Sequence, residues 1–458
     1  MVKGTPSFGN TIDVRVYSNS ISLTKSLREI LNLNENLVLK YKFLQNGSIS
    51  INKVAKITRN KNEKSSYYLK IQKAALEKEN IKQPTTTKIE IIDKKQLGYR
   101  PIKNNSDNKL FDIVNSLDNK FTCFEEQNNL LNIYFLNKKA TSIATMPRFI
   151  KIDGFSIWNI GFLLSDGFCN NHRISISNNE YYLIKLFLDY LKEYWKVNDT
   201  EIYVDIKIKP ENYSEYVKGY WSSKLKINED RIKVRKVFNK PTNAKYGNAN
   251  ITVYNTALAL IHSNFVSYVL ELIKPKEDVL SLIRGIEAGD GYAIEHNGVI
   301  EIGISSNIKD TNLICKLFEK LGYPQPKVER YHTSENADKI IYKGLNNAIR
   351  FLLDNHFEEH KERRENLIRL IRKFMRRDIK YLEALNNGKK TKRELAKVTN
   401  VSYRAANLII RKYLKLNFVS SKQIKVYKNK RFYNSLMFEL TERGKELTKY
   451  LIGGIKND

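Results

Sequence analysis

Apolar and polar positions change period repeatedly along this chain, and one succession of periods occurs twice. Residues 158–168 (WNIGFLLSDGF) and 282–292 (LIRGIEAGDGY) are mostly apolar runs with a glycine in the middle. Each ends in a small residue, then Asp-Gly, then an aromatic. Both predict a buried helix. Behind the first comes RISIS at 173–177, alternating as a strand does, then a helical run over 182–194. Behind the second comes IEIGISS at 300–306, then a helical run over 311–321. Leu186-Phe187 in the first helical run matches Leu317-Phe318 in the second. Further on, 252–255 (TVYN) with a helix from Thr256 answers 340–343 (IIYK) with a helix from Leu345. The pattern is a duplication on the scale of a domain, not a solenoid of ~20–50-residue units.

The repeated stretch carries its own chemistry. Gly161 and Gly285 each cost ~1 kcal/mol of helix propensity relative to alanine. Close backbone approach offsets that cost if the two helices pack face to face at their small residues. Gly167 and Gly291 suit a left-handed position just past a helix end. Asp166 and Asp290 then fall in the last turn, where the helix dipole disfavours an anion by ~0.3–1 kcal/mol. Two such placements in matching frames predict two carboxylates emerging side by side and holding a cation, most simply a metal ion. Against this stands the bland reading of Asp-Gly as a common turn dipeptide.

On these residues the chain resembles the LAGLIDADG homing endonucleases in their single-chain, two-motif form, over about 155–375. The resemblance implies that Asp166 and Asp290, at the eighth position of each motif, bind metal. It implies an α+β core with pseudo-twofold symmetry: two αββαββα-like repeats whose saddle-shaped antiparallel sheets lie along the DNA major groove. It also implies Mg²⁺-dependent, or other divalent-cation-dependent, cleavage of both strands. The sixth positions, often Asp in the family, are Leu164 and Ala288 here. An assisting lysine is placed by position at Lys361, and the equivalent stretch of the first half, 263–267, contains none.

Charge changes the picture in the same direction. The 458 residues hold 79 Lys and Arg against 49 Asp and Glu, a net charge of +30 that favours polyanions, with nucleic acid the first candidate. The 27 Tyr and 20 Phe interleaved with these cations suit phosphate and base contact. In 202–209, Ile202, Val204, Ile206 and Ile208 alternate with polar residues, and 231–237 repeats the arrangement. The free face predicted for these two strands holds Lys207, Lys209, Arg231, Lys233, Arg235 and Lys236, and would meet phosphates and base edges. A solvated basic face is the plain alternative.

Four regions are expected: an N-terminal α+β module over 1–150, the repeats over 151–276 and 277–377, and a separate unit over 378–458. In the first, 13–17 alternates as a strand and 24–31 reads as a helix. The stretches 36–44 and 48–54 read as a hairpin around Gln45-Asn46-Gly47. Residues 67–78 read as a helix, whereas 111–117 and 130–136 fit either strand or helix. The module suits DNA binding, packing or dimerisation. A basic helix is expected over 357–377.

In the last region helices are expected at 378–385, 391–399 and 402–414, with Thr391 and Glu394 forming a capping box. Strands follow at 418–421, 424–427 and 435–440, and a helix at 441–451 closes the order. The order resembles a winged helix-turn-helix. Ser402, Tyr403, Arg404 and Asn407 then lie on the recognition helix, and Lys428, Lys430 and Arg431 on the wing. A protein-interaction winged helix without DNA is the alternative.

Cys123, Cys169 and Cys315 are scattered and form neither a disulfide framework nor a zinc cluster. His356 and His360 stand four apart with no third ligand in view. No apolar run reaches the ~18 residues of a membrane span, and residues 1–10 lack an apolar signal region. A cytoplasmic, nucleoid-associated protein is expected. It would act as a monomer, because both motifs share one chain, on double-stranded DNA with a long target site. A non-cleaving DNA-binding regulator on the same core and an RNA maturase are the competing readings. An intein is not expected, since residue 1 is not a splicing nucleophile and the chain ends without His-Asn.

Overall fold

The structure, a computed structural model, describes strands within residues 11–96. Between 109 and 452 it describes everything except 117–121, 128–129, 137–140, 171, 239–243, 331–336 and 429–430. The chain divides into two compact units, Met1–Ser156 with Gly167–Leu272, and Ile157–Asp166 with Ile273–Asp458.

The first unit begins with β1 (Thr11–Tyr17), β2 (Ser20–Leu23), β3 (Leu37–Gln45), β4 (Ser48–Ile49), β5 (Lys53–Arg59), β6 (Tyr67–Lys70) and β7 (Thr85–Gln96). They pair in the order β4-β3-β5-β6-β2-β1-β7, and β3 also pairs with β7, which closes the sheet on itself. Closure removes exposed strand edges. The hairpin about Asn46-Gly47 forms, with Leu44 opposite Ile49 and Gln45 opposite Ser48. A helix beginning at Tyr67 does not, because Tyr67–Lys70 pairs on both sides, with β2 and with β5. The helix expected at 24–31 lies outside the described residues.

Next come β8 (Leu110–Asp112), α1 (Ile113–Ser116), β9 (Thr122–Gln127), β10 (Leu130–Leu136), β11 (Thr141–Pro147) and β12 (Phe149–Lys151). Residues 130–136 resolve to a strand, the middle of the meander β9-β10-β11. After α2 (Gly154–Asp166) the unit continues with β13 (Gly167–Asn170), β14 (Arg173–Asn178), α3 (Tyr181–Trp195), β15 (Ile202–Ile208), α4 (Tyr216–Leu225), β16 (Ile232–Lys236), β17 (Asn248–Val253) and α5 (Thr256–Leu272).

The sheet order is β13-β14-β17-β15-β16. Not all of it is antiparallel: β15 and β16 run parallel. The crossover helix α4 between them is the cause, since it returns the chain to run in the same direction. Inward positions Ile174, Ile176, Ile202, Val204, Ile206, Ala249 and Ile251 are buried under α3 and α5. There Tyr190 meets His262 at 2.9 Å beside Trp195. Phe111 packs on Phe265 from the other side.

The second unit holds α6 (Lys276–Asp290), β18 (Gly291–His296), β19 (Val299–Asn307), α7 (Ile308–Lys320), β20 (Lys327–Arg330), β21 (Ala337–Lys343), α8 (Leu345–Leu353) and α9 (Lys361–Met375). Its sheet runs β18-β19-β21-β20, all antiparallel, with Ile300, Ile302, Ile304 and Ile340 inward. The basic helix starts at Lys361 rather than 357. Asn355 and Phe357 take left-handed backbone (φ 58° and 57°), which breaks the helical path ahead of it.

Beyond lie α10 (Ile379–Asn386), β22 (Lys390–Thr391), α11 (Lys392–Val398), α12 (Tyr403–Lys415), β23 (Val419–Lys428), β24 (Arg431–Leu440) and α13 (Glu442–Ile452), with strand order β22-β24-β23. Thr391 caps α11 with Glu394 closing the box, and Gly388 at φ 123° allows the turn after α10. No helix among the described residues is long and apolar enough to cross a membrane.

Candidate functional site

The segment Ile157–Asp166 of α2 packs on α6 backbone to backbone. A methyl group on Gly161 would run into the Leu282 carbonyl and stand 3.0 Å from the Ile286 nitrogen. One on Gly285 would run into the Trp158 carbonyl and stand 2.8 Å from the Phe162 nitrogen. Any larger residue at either position forces the helices apart.

This crossing brings their C-terminal ends together. Asp166 is the last residue of α2 and Asp290 the last of α6. A methyl on Gly289 would run into Ser165 Oγ and lie 2.8 Å from the Asp166 carboxyl carbon, so Asp166 rests against the residue preceding Asp290. Burial first, and then the Asp166 charge, push the Asp290 carboxyl up to about 7, with the Arg363 guanidinium acting against both. Leu164 and Ala288 add no carboxylate.

The glycines after the acids are not left-handed caps. Gly291 is extended (φ −75°, ψ 154°) and both glycines open strands. The helix passes directly into its strand, and at Gly291 a side chain would instead meet Phe357 at 2.6 Å.

Sequence reading missed the group that closes the α6 end. Arg363 Nη1 donates to the carbonyls of Glu287 and, at 3.0 Å, Ala288, while Nη2 donates to Gly289 at 2.7 Å. Lys361, two residues earlier, is exposed at the first position of α9. The cation acting on Asp290 is therefore Arg363. Its signal in the sequence is a basic residue two positions beyond Lys361.

Behind this end, Glu287 is fully buried and accepts from His356 Nδ1 at 2.7 Å and the Phe357 N–H at 3.2 Å. Tyr323 meets His356 Nε2 at 3.1 Å and donates to Asp354 at 2.7 Å, and Arg350 reaches Asp354 at 3.3 Å. The Glu287 bond to Phe357 helps hold that residue's left-handed backbone.

The basic face of the first unit is smaller than its sequence implied. Register places Asp205 beside Lys233 and Lys207 beside Arg235, with Asn250 and Asn248 across on β17. Arg235 pairs with Asp205 at 2.8 Å. The same face continues through Ser175, Ser177 and Thr252. Three of the expected cations fall off it, Lys209 and Arg231 because the strands are shorter than the alternation and Lys236 because it alternates to the other face of β16. Lys209 follows the end of β15 and approaches Glu211. Arg231 precedes β16 and donates to the Thr200 carbonyl at 2.9 Å. Lys236 sits over the Tyr213 ring.

On α12, Tyr403 and Arg404 are exposed, along with Leu408, Arg411 and Lys415. The Ser402 hydroxyl caps the helix by accepting from the Ala405 N–H at 3.2 Å. Asn407 turns inward, its Oδ1 buried. Lys430 lies outside the described residues, and Arg431 opens β24 opposite Lys428.

Among the described residues no group of three or more His, Cys, Asp or Glu forms a metal cage. The two carboxylates are hard oxygen donors, and Asp290 is held in a surrounding that penalises its negative charge. That combination fits a divalent cation, which hard carboxylate oxygens suit.

No protein-family model matches the chain, and no curated protein matches it. Among solved structures it is similar to mesophilic variants of the homing endonuclease I-DmoI at 13% identity and TM-score 0.27, over 45% of this chain and 97% of that one. I-DmoI in complex with DNA and Mn gives 13% identity and TM-score 0.27 over 45% and 98%. I-DmoI with DNA and Ca gives 12% and 0.23 over 43% and 87%.

Proposed function

We propose that this chain is a site-specific, metal-dependent endonuclease of double-stranded DNA, built as two LAGLIDADG-type repeats with a C-terminal winged helix. The observation that carries the reading is the pair of aspartates at the ends of two glycine-packed helices, with the Asp166 charge adding to the cost of ionising a buried Asp290. A pair in that state is stabilised by a cation. Asp166 and Asp290 would hold Mg²⁺ or a similar ion through carboxylate oxygens. Such an ion supplies Lewis-acid stabilisation of charge on a scissile phosphate and a more acidic attacking water. The protein's own part is to fix the two carboxylates, by helices that cannot separate or slide at Gly161 and Gly285.

Lys207, Lys233 and Arg235, with the amide and hydroxyl side chains beside them, have the chemistry to contact phosphates and base edges. Tyr403, Arg404 and Arg411 on α12 would lengthen the recognised site.

The test is incubation of the chain with a DNA library and Mg²⁺, read as sequence-defined cuts. Asp166→Asn and Asp290→Asn are expected to abolish cutting while DNA binding persists. Cutting by either variant at the wild-type rate overturns the assignment. The exposed basic positions of α12 also favour a second reading, a DNA-binding regulator that does not cut. Retention on DNA with no cuts by the wild-type chain would select it.

A further inference from the structure

We propose that Arg363 is the positioning residue for Asp290, acting through the carbonyls of the α6 end and not as a cation presented to DNA. The inference rests on the metal-site reading above. It begins from an unusual helix terminus. Because α6 passes straight into β18, the Gly291 N–H reaches only the Glu287 carbonyl. The remaining last-turn carbonyls need another donor. They also form the negative end of the helix dipole, next to two carboxylates. One guanidinium answers all of this: it bridges the carbonyls of Glu287, Ala288 and Gly289. Its forked donors span adjacent oxygens, which a lysine ammonium on a flexible stem cannot reproduce.

The base of α9 that carries this guanidinium is itself held. The Arg363 N–H donates to the capping His360 at 3.4 Å. The next residue, Arg364, turns to Asn355 at 2.9 Å and to the Tyr450 hydroxyl of α13 at 3.0 Å. Arg372, two turns on, donates to the Tyr450 carbonyl at 2.9 Å. Arg363 is therefore fixed relative to α6, and through it so is the backbone that aims Asp290.

The experiment compares wild type, R363A, R363K and R363Q on a cognate DNA. Three quantities are read: cleavage under saturating Mg²⁺, DNA affinity with its salt slope, and calorimetric titration of the protein–DNA complex with Mn²⁺. R363A and R363Q are expected to cut about 10–100-fold more slowly and to bind Mn²⁺ more weakly, with DNA affinity and salt slope unchanged. R363K is expected not to rescue either loss. Wild-type Mn²⁺ affinity in R363A overturns the proposal, as does full rescue by lysine. A DNA affinity that falls together with the salt slope also overturns it, making Arg363 a phosphate contact. Should R363A fail to fold, R363Q and R363K carry the same comparison. If the wild-type chain binds DNA and Mn²⁺ but cuts nothing, the nuclease reading falls, while the Mn²⁺ titration still decides on Arg363.

Discussion

Gly161 and Gly285 touch backbone to backbone: a methyl on Gly161 would stand 3.1 Å from the Gly285 Cα. Alanine at either site gains ~1 kcal/mol of helix propensity. It loses more, because the atoms in its way are carbonyls and peptide nitrogens that cannot rotate aside. Gly161→Ala and Gly285→Ala are each expected to destabilise the protein by about 1–3 kcal/mol. The double variant should cost less than the sum, since the first methyl already parts the helices. Denaturant unfolding measures this, and an unchanged or raised midpoint would refute the contact.

Asp290 makes stability depend on pH with a defined sign. Its folded pKa is raised from 3.8 to about 7, so between those values the folded state binds the proton more tightly than the unfolded one. Its contribution to stability in EDTA should therefore fall as pH rises from 4 to 7 and then level off, and is read as the difference between wild type and Asp290→Asn, because buried imidazoles drive total stability the other way below 6.5. Asp290→Asn should remove that fall, and divalent cation should shrink it in the wild type. Parallel melting curves for the two proteins in EDTA would contradict the burial of this carboxyl.

Acid acts through buried imidazoles. Burial lowers His262 to about 3, and burial with the Arg363 charge lowers His360 to about 3, from 6.5. The unfolded chain protonates first, so stability is lost as pH falls from 6.5 towards 3. His262→Gln costs stability at neutral pH through its Tyr190 contact but should flatten the acid slope. An unchanged slope would place the titration elsewhere.

Salt dependence separates the cations that face outward from those that do not. Lys207→Ala and Lys233→Ala should each reduce the salt slope of DNA binding by about 1. Arg231→Ala and Lys236→Ala should leave it unchanged, because the former serves the Thr200 carbonyl and the latter the Tyr213 ring. Equal effects from all four would mean that only overall charge matters.

Ser402 is a cap before it is a contact. Ser402→Ala should cost about 0.5–2 kcal/mol of stability in the C-terminal region and Ser402→Asp should recover most of it. DNA affinity of the folded variants should hold. Loss of affinity without loss of stability would return Ser402 to the groove.

Much of the second unit was legible because its signals are local. Thr391 with Glu394, Asn387-Gly388 and the Ile300, Ile302, Ile304 alternation each act within a few residues. The shortfalls share a cause too. Tyr67 carries a helical pattern although β6 takes its identity from two neighbouring strands, and position along a helix does not tell which way a long side chain turns, so Lys361 and Arg363 are indistinguishable in sequence.

Sequence alone determined where the two glycine-bearing helices run and that an aspartate closes each one, since periodicity and residue size act along the chain. Tertiary structure alone decided the parallel pairing of β15 with β16, the turn at Phe357 held by Glu287, and the seat of Arg363 on the α6 carbonyls. Those depend on partners tens of residues away, whose approach is set by packing and by the need to satisfy buried polar groups, and neither leaves a periodic trace.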